Sequence, residues 1–178
     1  MKTYIALLRG INVGGKNALP MKELVSIMEN NGAENVNTYI QSGNAVFQTD
    51  LKNIAQLPGL WSAEIRQGFG FEPHIQILKI EALNLAIAQN PFPQAEADPS
   101  SLHLSFLAAR PDNPDLQKLN SIKKPSEKFV LIDQVFYLHA PEGIGTSKLA
   151  AGIEKILGVP MTGRNWKSVC SIRALAKY

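Results

Sequence analysis

Apolar positions along this chain switch between short runs and a three-to-four-residue spacing, and the switches mark its elements. Lys2 to Leu8 is apolar-rich with weak alternation, which predicts a buried strand. Pro20 opens a helix at the position that tolerates proline. Met21, Leu24, Val25 and Met28 continue it, and Gly32 ends it. Val36 to Ile40 and Ala45 to Thr49 read as strands around Gln41-Ser42-Gly43-Asn44, a hairpin signal in which Gly43 supplies a positive φ and Asn44 tolerates one. Leu57 to Phe69 carries Leu60, Trp61, Ile65 and Phe69 at helical spacing, and His74 to Leu78 reads as a strand.

Ile80 to Gln89 is the next helix, broken by Asn90-Pro91-Phe92-Pro93 and followed by a polar linker over 94–101. The pattern then starts again. Leu102 to Ala108 is a strand, and Asp112 to Ile122 a helix opened by Asp-Asn-Pro. Phe129 to Ile132 and Val135 to Leu138 are strands turning at Asp133-Gln134. Ser147 to Leu157 is a helix, Val159 to Thr162 a last strand, and Asn165 to Ala176 a terminal helix. The economical reading is an α+β fold with two tandem ferredoxin-like (βαββαβ) halves, joined by a helix and followed by a C-terminal helix. Its divisions are 1–79, a helix and linker over 80–100, and 101–178. The rival is one larger mixed sheet with helices on one face.

Composition narrows the class. Hydrophobic residues make up 45% and charged residues 19%, ordinary values for a globular protein, and no apolar run approaches the length of a membrane span. No charged segment precedes a long apolar stretch at the N-terminus, so no secretory signal is expected. Cys170 is the sole cysteine, which excludes an internal disulfide and a cysteine metal cage and fits the cytoplasm. The net charge of +3 permits an anionic partner without demanding one.

Candidate chemistry concentrates in Leu8 to Asn17. This stretch holds Gly10, Gly14, Gly15, Asn12, Asn17, Arg9 and Lys16, directly after the first strand. Glycine lets backbone approach a ligand, and the cations supply charge. Gly10-x4-Gly15-Lys16 matches the P-loop pattern formally, but Asn17 stands where a magnesium-binding hydroxyl belongs and Pro20 puts the helix too late. The weaker reading is a loop that binds carboxylate or phosphate without hydrolysis. Against it stands a loop whose glycines only turn the chain and whose asparagines only hold neighbouring backbone. Near the C-terminus, Thr162-Gly163-Arg164-Asn165-Trp166 precedes the last helix. Asn165 is a candidate N-cap there, and Arg164 a candidate anion fork. His74, His103 and His139 sit on separate strands without ligand-like spacing, so no metal and no cofactor is expected.

Tyr4 to Gly15, Pro20-Met21, Thr38 to Asn44 and Thr162 to Trp166 together closely resemble the domain of unknown function 1697 family. The resemblance spans essentially the whole chain. It implies a compact bacterial-type α+β protein with two ferredoxin-like halves and no established activity. Three functional classes stand at this point. The first is a protein binding a small anionic or nucleotide-like ligand through Arg9, Gly10, Asn12, Gly14, Gly15, Lys16, Asn17, Arg164 and Asn165. The second is a nucleic-acid-binding protein on an RRM-like frame, although the expected sheet aromatics are missing. The third is an enzyme of unknown class. The Arg9 to Asn17 loop and the Thr162 to Trp166 segment are expected to lie near one another. The oligomeric state is not legible.

Overall fold

The computed structural model describes residues 1–176. Along the chain run β1 (Lys2–Arg9), α1 (Met21–Asn30), β2 (Glu34–Tyr39), β3 (Asn44–Thr49), α2 (Leu57–Phe69), β4 (His74–Lys79), α3 (Ile80–Ala88), β5 (Leu102–Leu107), α4 (Leu116–Ile122), β6 (Lys128–Ile132), β7 (Val135–His139), α5 (Lys148–Leu157), β8 (Met161–Asn165) and α6 (Trp166–Leu175). Two compact units result. The first holds Met1–Leu85 and, of the described residues, 171–176; the second holds Ala86–Cys170. Each contains one four-stranded antiparallel sheet, ordered β2-β3-β1-β4 in the first and β6-β7-β5-β8 in the second. The fold is mixed α+β with two separate sheets, so the single larger sheet is excluded.

In the first unit Tyr4, Ala6 and Leu8 face α1 and α2, packing with Phe47, Leu24, Met28, Trp61 and Ile65. The Trp61 ring meets Phe47 edge-on at 5.3 Å. Ile5 and Leu7 on the opposite face of β1 are buried as well, which explains why the strand reads as a run instead of an alternation. In the second unit Leu107, Phe136 and Leu138 form a core with Leu119 of α4 and Leu149, Ile153 and Leu157 of α5. The Tyr137 hydroxyl donates to Ala86 O at 2.7 Å, and burial pushes it up to about 12.

Several local expectations shift. The α4 helix starts at Leu116, not Asp112, because Asn113 takes φ 47 and the Asp115 side chain caps the helix from Lys118 N–H at 2.9 Å. Pro93–Ala97 forms a short 3-10 turn inside the expected linker. In the β2–β3 turn Gly43 takes φ 80 as read, but the second left-handed residue is Ile40 at φ 49, while Asn44 opens β3. β8 runs two to three residues later than expected. Pro160 precedes it, and Arg164 therefore lies on a strand opposite Leu104. Cys170 on α6 is half-buried.

Candidate functional site

The segment after β1 is built by its own glycines and asparagines. Lys16 N–H donates to Val13 O at 3.0 Å, and Gly14 and Gly15 between them take φ 57 and 73. Positive φ at both central residues is the type I′ turn, which glycine enters without a Cβ penalty. The segment is thus a miniature hairpin, closed below by Asn12 N–H to Asn17 O at 3.0 Å. No helix starts at Lys16. The next one begins at Met21 behind Pro20, so the P-loop geometry is absent.

Asn12 is the brace. Its Nδ2 donates to Leu19 O at 2.9 Å and to Gln41 O at 2.7 Å, and its Oδ1 accepts from Leu19 N–H at 2.8 Å. One amide ties the miniature hairpin both to the entry of α1 and to the β2–β3 turn. Asn17 Nδ2 donates to Gly10 O at 2.9 Å and closes the base. Both asparagine amides are committed to backbone. Gly43 completes the joint: a Cβ there would stand 2.6 Å from Leu8 Cβ and 3.0 Å from Ile11 Cδ1.

At this end of the first sheet Arg9 closes β1, and the antiparallel register sets it opposite His74 at the start of β4. Arg9, Lys16 and His74 are exposed. Cβ atoms built at Gly10, Gly14 and Gly15 meet nothing within 4 Å, so the hairpin backbone is open to solvent. Val13 at its tip is 65% exposed, and Ile40 in the bonded turn 52%. By sequence spacing His74 is isolated. The pairing that brings it to Arg9 spans the unit and leaves no local signature. The sequence pattern places Ile40 at the end of a strand, whereas β2 stops at Tyr39. A β-branched residue at positive φ is strained, and no sequence rule points to it.

Arg164 and Asn165 belong to the second unit. Asn165 Oδ1 accepts from Ser168 N–H at 2.9 Å and caps α6, so the N-cap reading holds. Trp166 is buried, as expected for a tryptophan in a first turn. The Arg164 Nη1 donates to Gly163 O at 2.9 Å, and burial pushes the half-buried guanidinium down to about 10. Next to it, Thr162 is buried and its Oγ1 has no partner. Among the described residues no three His, Cys, Asp or Glu side chains gather as metal ligands, and no helix is long and apolar enough to cross a membrane. An RRM-type surface would need an open sheet face. On the first sheet Ile5, Leu7 and Val46, on the face away from α1 and α2, are buried.

The family model described as "Protein of unknown function (DUF1697)" matches residues 1–137, and the chain belongs to that family. Over 99% of both chains it is similar to the conserved bacterial protein SP0830 from Streptococcus pneumoniae, with 26% identity and a TM-score of 0.69. No protein with curated annotation matches it. Neither the family description nor the name of the similar structure assigns an activity.

Proposed function

We propose that the protein binds a small anionic ligand, a carboxylate or phosphate group, at the β1 end of the first sheet and does no chemistry on it. The carrying observation is the register that sets Arg9 beside His74, next to a hairpin whose glycine backbone lies open. Arg9 and Lys16 supply charge, and the amides around Gly10, Gly14 and Gly15 supply donors. Asn12 and Asn17 act one step back, holding that backbone in place. Arg164 and Asn165 enter this reading as the further ligand-binding residues, with the guanidinium as the fork and the α6 cap as its frame. A hydrolytic role finds no support in a lysine held in a tight turn with no helix behind it.

The same reading takes 1–79 and 101–178 as two ferredoxin-like halves joined by 80–100, supported by the identical permutation of strands in both sheets. It places the protein in the cytoplasm, as its lone cysteine fits.

Calorimetry with inorganic phosphate, nucleotides and small dicarboxylates tests the proposal. The double change Arg9→Ala with Arg164→Ala is expected to weaken binding by more than about 1.5 kcal/mol, the loss of charge-assisted hydrogen bonds. The single changes report which unit carries the effect. Equal binding by wild type and double variant removes the arginines from the site. Magnesium-dependent ATP turnover that disappears with Lys16→Ala overturns the non-catalytic reading.

A further inference from the structure

In the first unit a cavity of ≈ 560 Å³ opens between α1 and the β2–β3 ribbon, lined by Glu29, Asn35, Val36, Asn37 and Gln48. A β-bulge shapes it. The register of β2 against β3 shifts between Glu34 and Asn37, and Asn35 takes φ 51. A bulge re-aims the side chains beside it, here an asparagine on either side of Val36. Val36 packs against the apolar core and gives the cavity one aliphatic wall.

The polar lining is rich in acceptors. Asn35 Nδ2 donates to Gln48 Oε1 at 2.7 Å, Asn37 Nδ2 to Asn35 O at 3.0 Å, and Gln48 Nε2 to Thr3 Oγ1 at 3.4 Å. The amide nitrogens are thus turned to the protein. Among the described residues no donor engages Asn35 Oδ1, Asn37 Oδ1 or the Glu29 carboxylate. Glu29 also stands against its own helix. It lies in the last turn of α1, where the partial negative charge of the helix end repels a carboxylate, and that turn has no basic residue. Four residues away on either side are Val25 and Ala33, so no ion pair along the helix relieves it. Such a local conflict is expected where a site, not stability, requires the residue.

We infer that this cavity binds an aliphatic amine, its ammonium group among Glu29, Asn35 Oδ1 and Asn37 Oδ1 and its methylene chain along Val36. An ammonium brings three donors and no acceptor, the complement of this lining. Neither lysine nor arginine is among the lining residues to oppose it. The chain's net charge of +3 gives no general attraction for a cation, so the attraction comes from the local groups. This site shares no residue with the proposed anion site, and the failure of either leaves the other standing.

The test titrates the 15N-labelled full chain with spermidine at low ionic strength. Saturable shifts are expected at Glu29 and at Asn35 to Asn37, including the side-chain amides of both asparagines. Tetramethylammonium carries the charge without a donor and should bind at least tenfold more weakly. Glu29→Gln should weaken spermidine binding at least tenfold, and Asn37→Ala at least threefold. Glu29→Gln removes an exposed carboxylate from a helix C-terminus, so that variant should fold at least as stably as the wild type. No shifts at millimolar spermidine, shifts spread over acidic residues elsewhere, or unchanged binding by Glu29→Gln would each overturn the inference. So would equal binding of tetramethylammonium, which would reduce the effect to charge alone, or of sorbitol, which would make the cavity a site for neutral hydroxyls.

Discussion

The first strand-to-helix connection differs sharply between the two units, although both sheets share one permutation of strands. After β1 the chain makes a glycine hairpin, and the following helix has Pro20 at its N-cap with no side-chain capping bond. After β5 it passes through Arg110, Pro111 and Pro114 and enters α4 under an Asp115 cap. One connection is open backbone braced from a distance by Asn12; the other is stiffened by proline and capped locally. The second strands differ in the same spirit, β2 polar and bulged, β6 apolar and regular. A shared topology therefore fixes where loops and edges fall, while their residue types decide which become available to a ligand.

The comparison is broken most severely at the joint under the hairpin. Gly43→Ala places a Cβ against Leu8 Cβ, which has no flexible end to yield, at a φ that disfavours alanine. A loss of about 2–4 kcal/mol is expected by chemical denaturation, from overpacking and the left-handed backbone together. Gly14→Ala has the same sign of φ but open space, and should cost about 1 kcal/mol. Equal losses at both positions would mean that the close approach of Leu8 and Gly43 contributes nothing.

Asn12→Ala removes three hydrogen bonds that join the hairpin, the α1 entry and the β2–β3 turn. The expected cost is about 1.5–3 kcal/mol, with faster amide exchange at Leu19. Its counterpart in the second unit, Asp115→Ala, loses one exposed cap and should cost about 1 kcal/mol. If the two denaturation midpoints shift equally, the long-range brace is no more than a local cap.

The smallest effect is a pH dependence in the second unit. Burial lowers the His103 pKa below 6.5, while its hydrogen bond with Ser100 O opposes that shift. On acidification the unfolded chain therefore takes up this proton first, and stability falls as pH drops below about 6.5. Stability measured from pH 7.5 downward should show that decline, and His103→Gln should flatten part of it. An unchanged slope in the variant would assign the acid sensitivity to other groups.

What the chain states locally is legible without coordinates. The switch from strand runs to helical spacing places the helices and most of the strands. The Asp133-Gln134 turn is bounded by Ile132 and Val135 as read, and Asn165 caps the last helix. These features depend on neighbours within a turn or two, where side-chain spacing and backbone propensity act directly. Misplaced ends, such as the start of α4 and the span of β8, lie where proline and a capping side chain compete with the apolar pattern. Tertiary structure alone decided the rest. Register across the first sheet set His74 beside Arg9, and the meeting of two distant turns gave the Asn12 amide its partners. Strand order left β6 at an edge instead of between neighbours. Those outcomes follow from which apolar faces bury one another, a choice made by contacts far apart in sequence, so no local pattern of residues can record it.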